Sequence, residues 1–98
     1  MIYELASFDI GTDRVADLVN EFPAAKAVLD QAPGLISSQL LQDLDDPGRV
    51  VLLVEWNTLE DHTEGFAKSD LFGQFRELVG PFVSAPPTVR HFCLPLES

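Results

Sequence analysis

The segment from Arg49 to Trp56, RVVLLVEW, constrains the fold of this chain more than any other. Successive residues of a β-strand point to opposite faces of a sheet, so the even-numbered Val, Leu, Val and Trp share one face, and Val51 and Leu53 share the other. An antiparallel strand with one solvated face would alternate apolar and polar residues, which this strand does not do. Both faces therefore need an apolar cover. A chain of 98 residues offers helices for one face only, so we expect a second copy of the chain to cover the other.

The composition is that of one globular domain, which we expect to span residues 1–98. Hydrophobic residues make up 46% of the chain, charged residues 22%, and the net charge is −10. This acidity argues against nucleic acid and anionic membranes as partners, because both are bound through basic patches. No apolar run is long enough to cross a bilayer, and the first residues, MIYEL, do not resemble a signal peptide. The expected location is the cytoplasm.

The periodicity of the apolar residues predicts the element order β-α-β-β-α-β. Strands are expected at residues 1–10, 35–44, 50–56 and 88–94, where β-branched and apolar residues are bounded by Gly, Pro and Asp. Two helical segments separate them. This order is typical of the ferredoxin-like α+β fold, with a four-stranded antiparallel sheet and both helices on one face.

The ends of the two helices have sequence signals of their own. Thr12 or Asp13 is expected to cap the first helix, and Pro23 should kink or restart it, because proline lacks a backbone N–H. The second helical segment is expected to begin at a capping box, formed by Thr58 with Asp61 or by the pair one residue earlier.

Several short motifs together resemble the antibiotic biosynthesis monooxygenase (ABM) family. They are APG at 32–34, DPGR at 46–49, VEW at 54–56, EDHT at 60–63, SDLF at 69–72 and VRHF at 89–92. The resemblance covers nearly the whole chain. It implies a dimeric ferredoxin-like α+β barrel that works without a cofactor as a monooxygenase, with dioxygen and a small aromatic quinol- or anthrone-like molecule. A polyketide cyclase and a non-catalytic small-molecule-binding or stress-related protein are the alternatives, since one fold serves many functions.

His62 is the first candidate for catalysis. On a helix it shares a face with Leu59, Thr63 and Phe66, and this face is expected to point at the sheet. An imidazole titrates near neutral pH, so His62 could take a proton from a phenolic or quinol hydroxyl and leave an anion able to reduce dioxygen. The alternative is a hydrogen-bonded core histidine.

Trp56 and Arg76 are also candidates for catalysis, by resemblance. Some oxygenases of the superfamily carry a pocket-lining tryptophan at the matching strand end, and the anthrone oxygenases carry a basic residue in the matching helix. By this likeness Trp56 would form a pocket wall and Arg76 would stabilise an oxyanion or peroxide. The alternatives are a core aromatic at Trp56 and a surface arginine that lies along Phe72 with its head in water.

Four residues are expected to bind the substrate: His91, Phe66, Phe72 and Phe75. The phenylalanines fall on apolar helical faces and can shape a pocket that suits aromatic molecules. His91 could orient His62 across the pocket, or it could lie at the dimer seam. Two histidines and one cysteine are a weak metal signal, so no metal site is expected.

Haem is less favoured by the same resemblance. The haem-degrading relatives carry an axial His on the helix that follows a Ser-Asp-x-Phe turn, and an Asn on the first strand. This chain has the turn, but it offers Phe75 and Arg76 on the helix and Ala6 and Ser7 on the strand. Haem iron needs an axial donor, so only a shifted ligand such as His62 would leave haem as an alternative.

Overall fold

The computed structural model describes residues 1–96, which form a four-stranded antiparallel sheet and two helices packed on one of its faces. The strands are β1 (Ile2–Asp9), β2 (Leu35–Gln42), β3 (Arg49–Trp56) and β4 (Thr88–Phe92). The helices are α1 (Val15–Leu29) and α2 (Asp70–Val79). The strand order β2-β3-β1-β4, with this element order, is the ferredoxin-like fold predicted from the sequence.

Strand β3 lies in the interior of the sheet and has two different faces. Its helix-facing residues are at most 3% exposed: Val50, Leu52, Val54 and Trp56. On the opposite face Val51 and Leu53 are only partly buried, and Leu41, which pairs with Val51, is 43% exposed. The strand is therefore apolar on both faces as predicted, and within one chain only one of these faces is covered.

Helix α1 follows a short 3-10 turn and has no side-chain cap. The prediction that Thr12 or Asp13 caps this helix was wrong, because neither side chain bonds to its first amides. The amide of Arg14 instead donates to the carbonyl of Gly11. Pro23 lies inside α1, which is one continuous helix, so the chain does not restart there. Within residues 1–96, no helix is long and apolar enough to span a membrane.

Two strands, β2 and β4, end two residues earlier than their sequence patterns indicate. β2 stops at Gln42 because the side chain of Asp43 begins the turn: its Oδ1 accepts hydrogen bonds from the amides of Asp45 at 2.8 Å and Asp46 at 3.1 Å. Short polar side chains often divert the backbone in this way. β4 ends at Phe92, before the predicted Leu94.

Between β3 and α2 the chain forms a π-helical turn, Asp61–Phe66. It begins at one of the two predicted capping boxes. Thr58 Oγ1 accepts a hydrogen bond of 3.1 Å from the Asp61 amide, and Asp61 Oδ2 accepts one of 3.2 Å from the Thr58 amide. The wide turn is closed by a hydrogen bond from the Ala67 amide to the His62 carbonyl. The sequence predicts an ordinary helix here, whereas π turns are rare and often lie at functional sites.

Gly34 packs against the start of the π turn. Its φ of 86° lies in the left-handed region, and a β-carbon at this position would overlap the carboxyl group of Asp61. Only glycine allows so close an approach of the two segments. The carbonyl of Gly34 also accepts a hydrogen bond of 2.8 Å from the amide of Asn57, at the end of β3. The loop before β2 therefore holds the π turn against the end of the sheet.

Candidate active site

A cavity of about 450 Å³ lies between the sheet and the helices. Its wall is mainly apolar and includes residues of β1, β3, both helices and the segment before β4. Pockets of this size and character are typical of small-molecule sites. Four polar side chains reach the wall: Glu4, His62, Arg76 and Ser84.

Four phenylalanines line the cavity, and three of them were expected from the sequence to bind a ligand: Phe66, Phe72 and Phe75. The fourth, Phe8 on β1, was not expected. Phe72 and Phe75 both pack edge-on against Phe66, with ring centroids 5.8 and 6.1 Å away and interplanar angles of 83° and 76°. Such edge-to-face contacts fix ring orientations. The wall is thus an ordered aromatic surface.

Glu4 belongs to the site and was not predicted from the sequence. It is 6% exposed, and it lies on the helix-facing side of β1, between Ile2 and Ala6. Its Oε1 accepts a hydrogen bond of 2.9 Å from the indole Nε1 of Trp56. Burial raises the pKa of the Glu4 carboxyl, and the hydrogen bond from Trp56 opposes part of this rise. The sequence signal that could have identified Glu4 was a single carboxylate on a strand face whose other residues are apolar.

His62 projects from the π turn onto the carboxyl group of Glu4. Its Nε2 lies 3.4 Å from Glu4 Oε1, and its Nδ1 lies 2.8 Å from Nε2 of His91. Its ring stacks on Trp56, with centroids 5.3 Å apart and planes inclined by 22°. Contacts at both nitrogens and on one face therefore fix the orientation of the imidazole.

The charge states of Glu4 and His62 follow from the same surroundings. Burial and, to a smaller extent, the neighbouring His91 lower the pKa of His62 to about 4. Burial raises the pKa of Glu4, and this favours the neutral carboxyl group. Although the two side chains are close enough for an ion pair, both pKa shifts oppose charge separation. We therefore describe the contact as a close carboxyl–imidazole pair in which His62 is neutral at neutral pH.

His91 supports His62 and does not line the cavity. It is the cross-strand partner of Glu4 in the β1–β4 pair, and it is exposed on the edge strand β4. Its ring centroid lies 5.0 Å from that of His62. The contact with His62 is one of the two placements considered from the sequence for His91, and the other, a place at the dimer seam, stays a prediction. The expected direct contact of His91 with a ligand has no support in the cavity lining.

Trp56 lies behind His62, although a place in the pocket wall was expected for it. It is 0% exposed and is absent from the cavity lining. Its indole ring stacks on His62 and its N–H donates to Glu4. Trp56 is therefore a core aromatic that positions the two polar groups, and it is not itself in contact with the cavity.

Arg76 reaches the cavity wall from α2 and keeps its side chain largely in solvent. Its Cζ lies 5.5 Å above the ring of Phe72, a cation–π distance. Within residues 1–96, no carboxylate lies within ion-pair distance of it. This is the placement along Phe72 considered from the sequence, and it leaves a positive charge at the edge of the cavity.

In the part of the chain that the structure describes, no three His, Cys, Asp or Glu side chains are placed to hold one ion. His62 is also a poor axial ligand for haem, because its two ring nitrogens already face Glu4 and His91.

Comparison with known proteins places the chain in a family. The model of the family described as antibiotic biosynthesis monooxygenase (ABM) matches residues 1–78. The chain belongs to the ABM family. The uncharacterized protein YczJ of Bacillus subtilis (strain 168) is 34% identical to it over 92 residues, which are 94% of this chain and 97% of YczJ.

Solved structures agree with this assignment. A Bordetella bronchiseptica protein named for the ABM family has 31% sequence identity and a TM-score of 0.89, and the match covers 95% of each chain. A Streptomyces coelicolor monooxygenase from the gene ActVA-Orf6, solved with the ligand nanaomycin D, has a TM-score of 0.79 and 16% identity over 95% of this chain and 86% of that one. At this identity the second match shows a shared fold only.

Proposed function

We propose that this ABM protein is a cofactor-independent monooxygenase that oxidises a small aromatic quinol- or anthrone-like substrate. The observation that carries the proposal is the buried carboxyl–imidazole pair of Glu4 and His62 at the wall of an apolar cavity of about 450 Å³. Membership of the ABM family supports the reaction class. A fold neighbour solved with nanaomycin D supports a small organic substrate.

The proposed reaction begins with loss of a proton from a substrate hydroxyl to the Glu4–His62 pair. The resulting anion is electron-rich and passes one electron to dioxygen. The two radicals combine at a carbon that bears hydrogen, and the resulting peroxide anion takes the proton back from the pair. The hydroperoxide then loses water, with the hydrogen of that carbon, to leave a carbonyl group. One oxygen atom of dioxygen then stands in the product and the other in water. General base catalysis of the first step contributes typically about 10²–10⁴-fold.

The apolar wall and Arg76 have supporting roles in this proposal. The aromatic surface around Phe66 offers ring faces and edges against which a flat substrate can pack while water is excluded. The guanidinium of Arg76, at the cavity edge, can stabilise the oxyanion or the peroxide as negative charge develops.

We infer further that the protein acts as a homodimer. The sheet face opposite the helices is apolar and open: Leu5, Val51 and Leu53 are only partly buried, while Leu41 and Phe92 are 43% and 48% exposed. Exposed apolar patches typically mark interaction sites. A second copy would offer the same apolar face, and dimers are typical of the ABM family.

The function is tested by dioxygen consumption with a panel of reduced quinols and anthrones. Wild-type protein is compared with His62→Ala and with Thr63→Ala, a neighbour in the same π turn whose hydroxyl bonds only to the carbonyl of Leu59. We expect uptake by the wild type and Thr63→Ala, and a loss of at least about 100-fold in His62→Ala.

Three results would contradict the proposal. Full activity of a folded His62→Ala variant would remove His62 from the mechanism. Turnover of a ligand by the wild type without dioxygen uptake would indicate a cyclase. Saturable binding without turnover across the panel would indicate a binding protein.

A further inference from the structure

Three titratable side chains form a continuous path from the cavity to the surface. Glu4 is buried at the cavity wall, His62 follows at 3.4 Å, and His91 follows at 2.8 Å and is exposed. Trp56 packs against the path: its indole ring stacks on His62, and its N–H donates a hydrogen bond to Glu4. A ligand in an apolar cavity has few routes for a proton to reach solvent, and this path is one.

The carboxyl group of Glu4 has one oxygen available to a ligand. Oε1 is occupied by Trp56 and His62. Oε2 has no hydrogen-bond partner among residues 1–96, yet it is not among the fully buried, unpartnered polar atoms of these residues. Since Glu4 lines the cavity, this accessible oxygen is the one presented to a bound molecule. His62, by contrast, has both ring nitrogens facing protein groups.

The path has two arrangements of hydrogens that differ by one proton. With Glu4 neutral, its O–H is directed at His62 Nε2 across 3.4 Å, His62 Nδ1–H donates to His91 Nε2, and His91 Nδ1–H points to solvent. Loss of one proton to solvent reverses these roles, so that His91 Nε2–H donates to His62 Nδ1 and His62 Nε2–H is directed at the Glu4 carboxylate. In both arrangements each ring nitrogen of His62 faces a group of complementary hydrogen-bonding character.

We propose that Glu4 is the group that takes the proton from the ligand and that His62 and His91 exchange protons between this carboxyl group and solvent. The inference rests on the proposed function for its ligand, a phenolic molecule. In the step, the ligand O–H bond breaks, the Glu4 oxygen gains the proton, and the electron pair stays on the ligand as an oxyanion. His62 and His91 are positioning and relay residues.

The charged surroundings of Glu4 are few. His62 faces it from the π turn, His91 from β4, and the uncharged Trp56 from β3. Arg76 is the further charged side chain at the described cavity wall. Titration of the path therefore reports Glu4, His62 and His91.

The first test uses the ligand-free protein and is independent of any oxygenase activity. The carboxyl carbon of Glu4 and the rings of His62 and His91 are followed by NMR as the pH is varied. We expect one step in which Glu4 and both rings shift together, and in Glu4→Gln the rings should lose this step. Glu21→Gln, an exposed carboxylate on α1, is the control. Titration of Glu4 without a response of either ring would overturn the relay.

The second test uses 4-nitrophenol without dioxygen, because its anion absorbs visible light and its neutral form does not. At a pH where the free phenol is mostly neutral, we expect wild type and Glu21→Gln to bind it as the anion, and Glu4→Gln to bind it as the neutral form. Neutral binding by the wild type, anion binding by Glu4→Gln, or no saturable binding would each overturn the role of Glu4. Anion formation without dioxygen uptake in the quinol panel would retain this role and reject the oxygenase.

The third test addresses the relay alone. The protein and 4-nitrophenol are first held at a pH where Glu4 is protonated, so that after a jump to higher pH Glu4 must lose its proton to solvent before it can take one from the ligand. In His91→Asn we expect the anion then to form at least about 10-fold more slowly in weak buffer, and added imidazole to restore the rate. An unchanged rate in His91→Asn would show that protons reach Glu4 by another route.

Discussion

Trp56 and Glu4 are joined by a hydrogen bond of 2.9 Å from the indole Nε1 to carboxyl Oε1, although 52 residues separate them in the chain. The same indole stacks on His62. One core side chain therefore sets the positions of both members of the carboxyl–imidazole pair. The geometry of the candidate site depends on how the end of β3 is packed, and this dependence can be tested by mutation.

Trp56→Phe keeps an aromatic ring beside His62 and removes the donor to Glu4. Because that hydrogen bond lowers the pKa of Glu4, we expect the pKa to rise further in the variant. The lost partner of a buried oxygen should also cost about 1–3 kcal/mol of unfolding free energy. NMR titration of Glu4 and urea unfolding measure the two effects.

The control for this variant is Leu18→Ala, a substitution at a buried position of α1 that does not line the cavity. It should cost about 2–5 kcal/mol of stability through the cavity it creates, while the pKa of Glu4 stays the same. A pKa of Glu4 that falls or stays constant in Trp56→Phe would refute the role assigned to the indole.

The sequence predicts the architecture because the apolar pattern of β3 and the element order are each sufficient signals. Two-sided hydrophobicity at residues 50–56 becomes a covered and an open face in the structure. The same reasoning places Phe66 near the sheet, where it contacts both Trp56 and His62. These features follow from local periodicity, which the sequence displays directly.

The candidate site is harder to predict because its contacts join distant segments. The contact of His62 with His91 was one of two open alternatives for His91, and it depends on the register of β1 with β4, which the sequence does not display. Glu4 resembles a solvated strand residue until the helix-covered face is known. The π turn depends on the fit of Gly34 against Asp61, which is a tertiary contact. No local propensity predicts such a contact.

Stability should fall in acid because of His62. Its pKa is lowered from 6.5 to about 4 in the folded protein, so below pH 6.5 the unfolded chain takes up a proton that the folded chain does not. The contribution of His62 to stability is therefore lost as the pH falls from 6.5 to about 4, by about 3 kcal/mol in total. Urea unfolding of wild type and His62→Gln across this range should show the difference between them shrinking in acid.

Glu4 should change the stability of the protein with pH in the direction opposite to His62. Its folded-state pKa is raised, so the buried carboxyl is best tolerated when protonated, and stability is lost as the pH rises through that folded-state pKa. Glu4→Gln removes this loss and serves as the matched comparison for His62→Gln. A constant stability difference between wild type and His62→Gln at every pH would contradict the buried, neutral state assigned to the imidazole.

Gly34→Ala should destabilise the protein and disturb the π turn. The added β-carbon would overlap the Asp61 carboxyl group at a backbone φ of 86°, which L-residues rarely adopt. We expect a loss of about 1–3 kcal/mol in urea unfolding, with shifted NMR signals of the His62 ring.

Gly73→Ala provides the matched control for this substitution, because a β-carbon there meets no atom within 4 Å and the residue lies in α2. It should leave stability unchanged or raise it by up to about 1 kcal/mol. Equal effects of the two alanines would show that the contact between Gly34 and Asp61 is not a constraint.

Leu53→Glu should prevent dimer formation. The substitution places a carboxylate on the open apolar face of the central strand β3. Dimer formation through this face would bury that charge without a partner, which is costly. Light scattering at micromolar concentration should give twice the chain mass for wild type and the single chain mass for the variant. Leu44→Glu, at a loop position that is 94% exposed, should remain dimeric. A monomeric wild type would exclude the second copy as the cover of this face.

The most direct test of the proposed chemistry is the fate of labelled dioxygen. A quinol or anthrone that is turned over under ¹⁸O₂ should yield a product with one labelled oxygen atom and labelled water, and His62→Ala and Glu4→Gln should yield neither above background. The same reaction in H₂¹⁸O, with product analysed before carbonyl exchange, should leave the product unlabelled. A product without label from ¹⁸O₂, or with two labelled atoms, would contradict a monooxygenase.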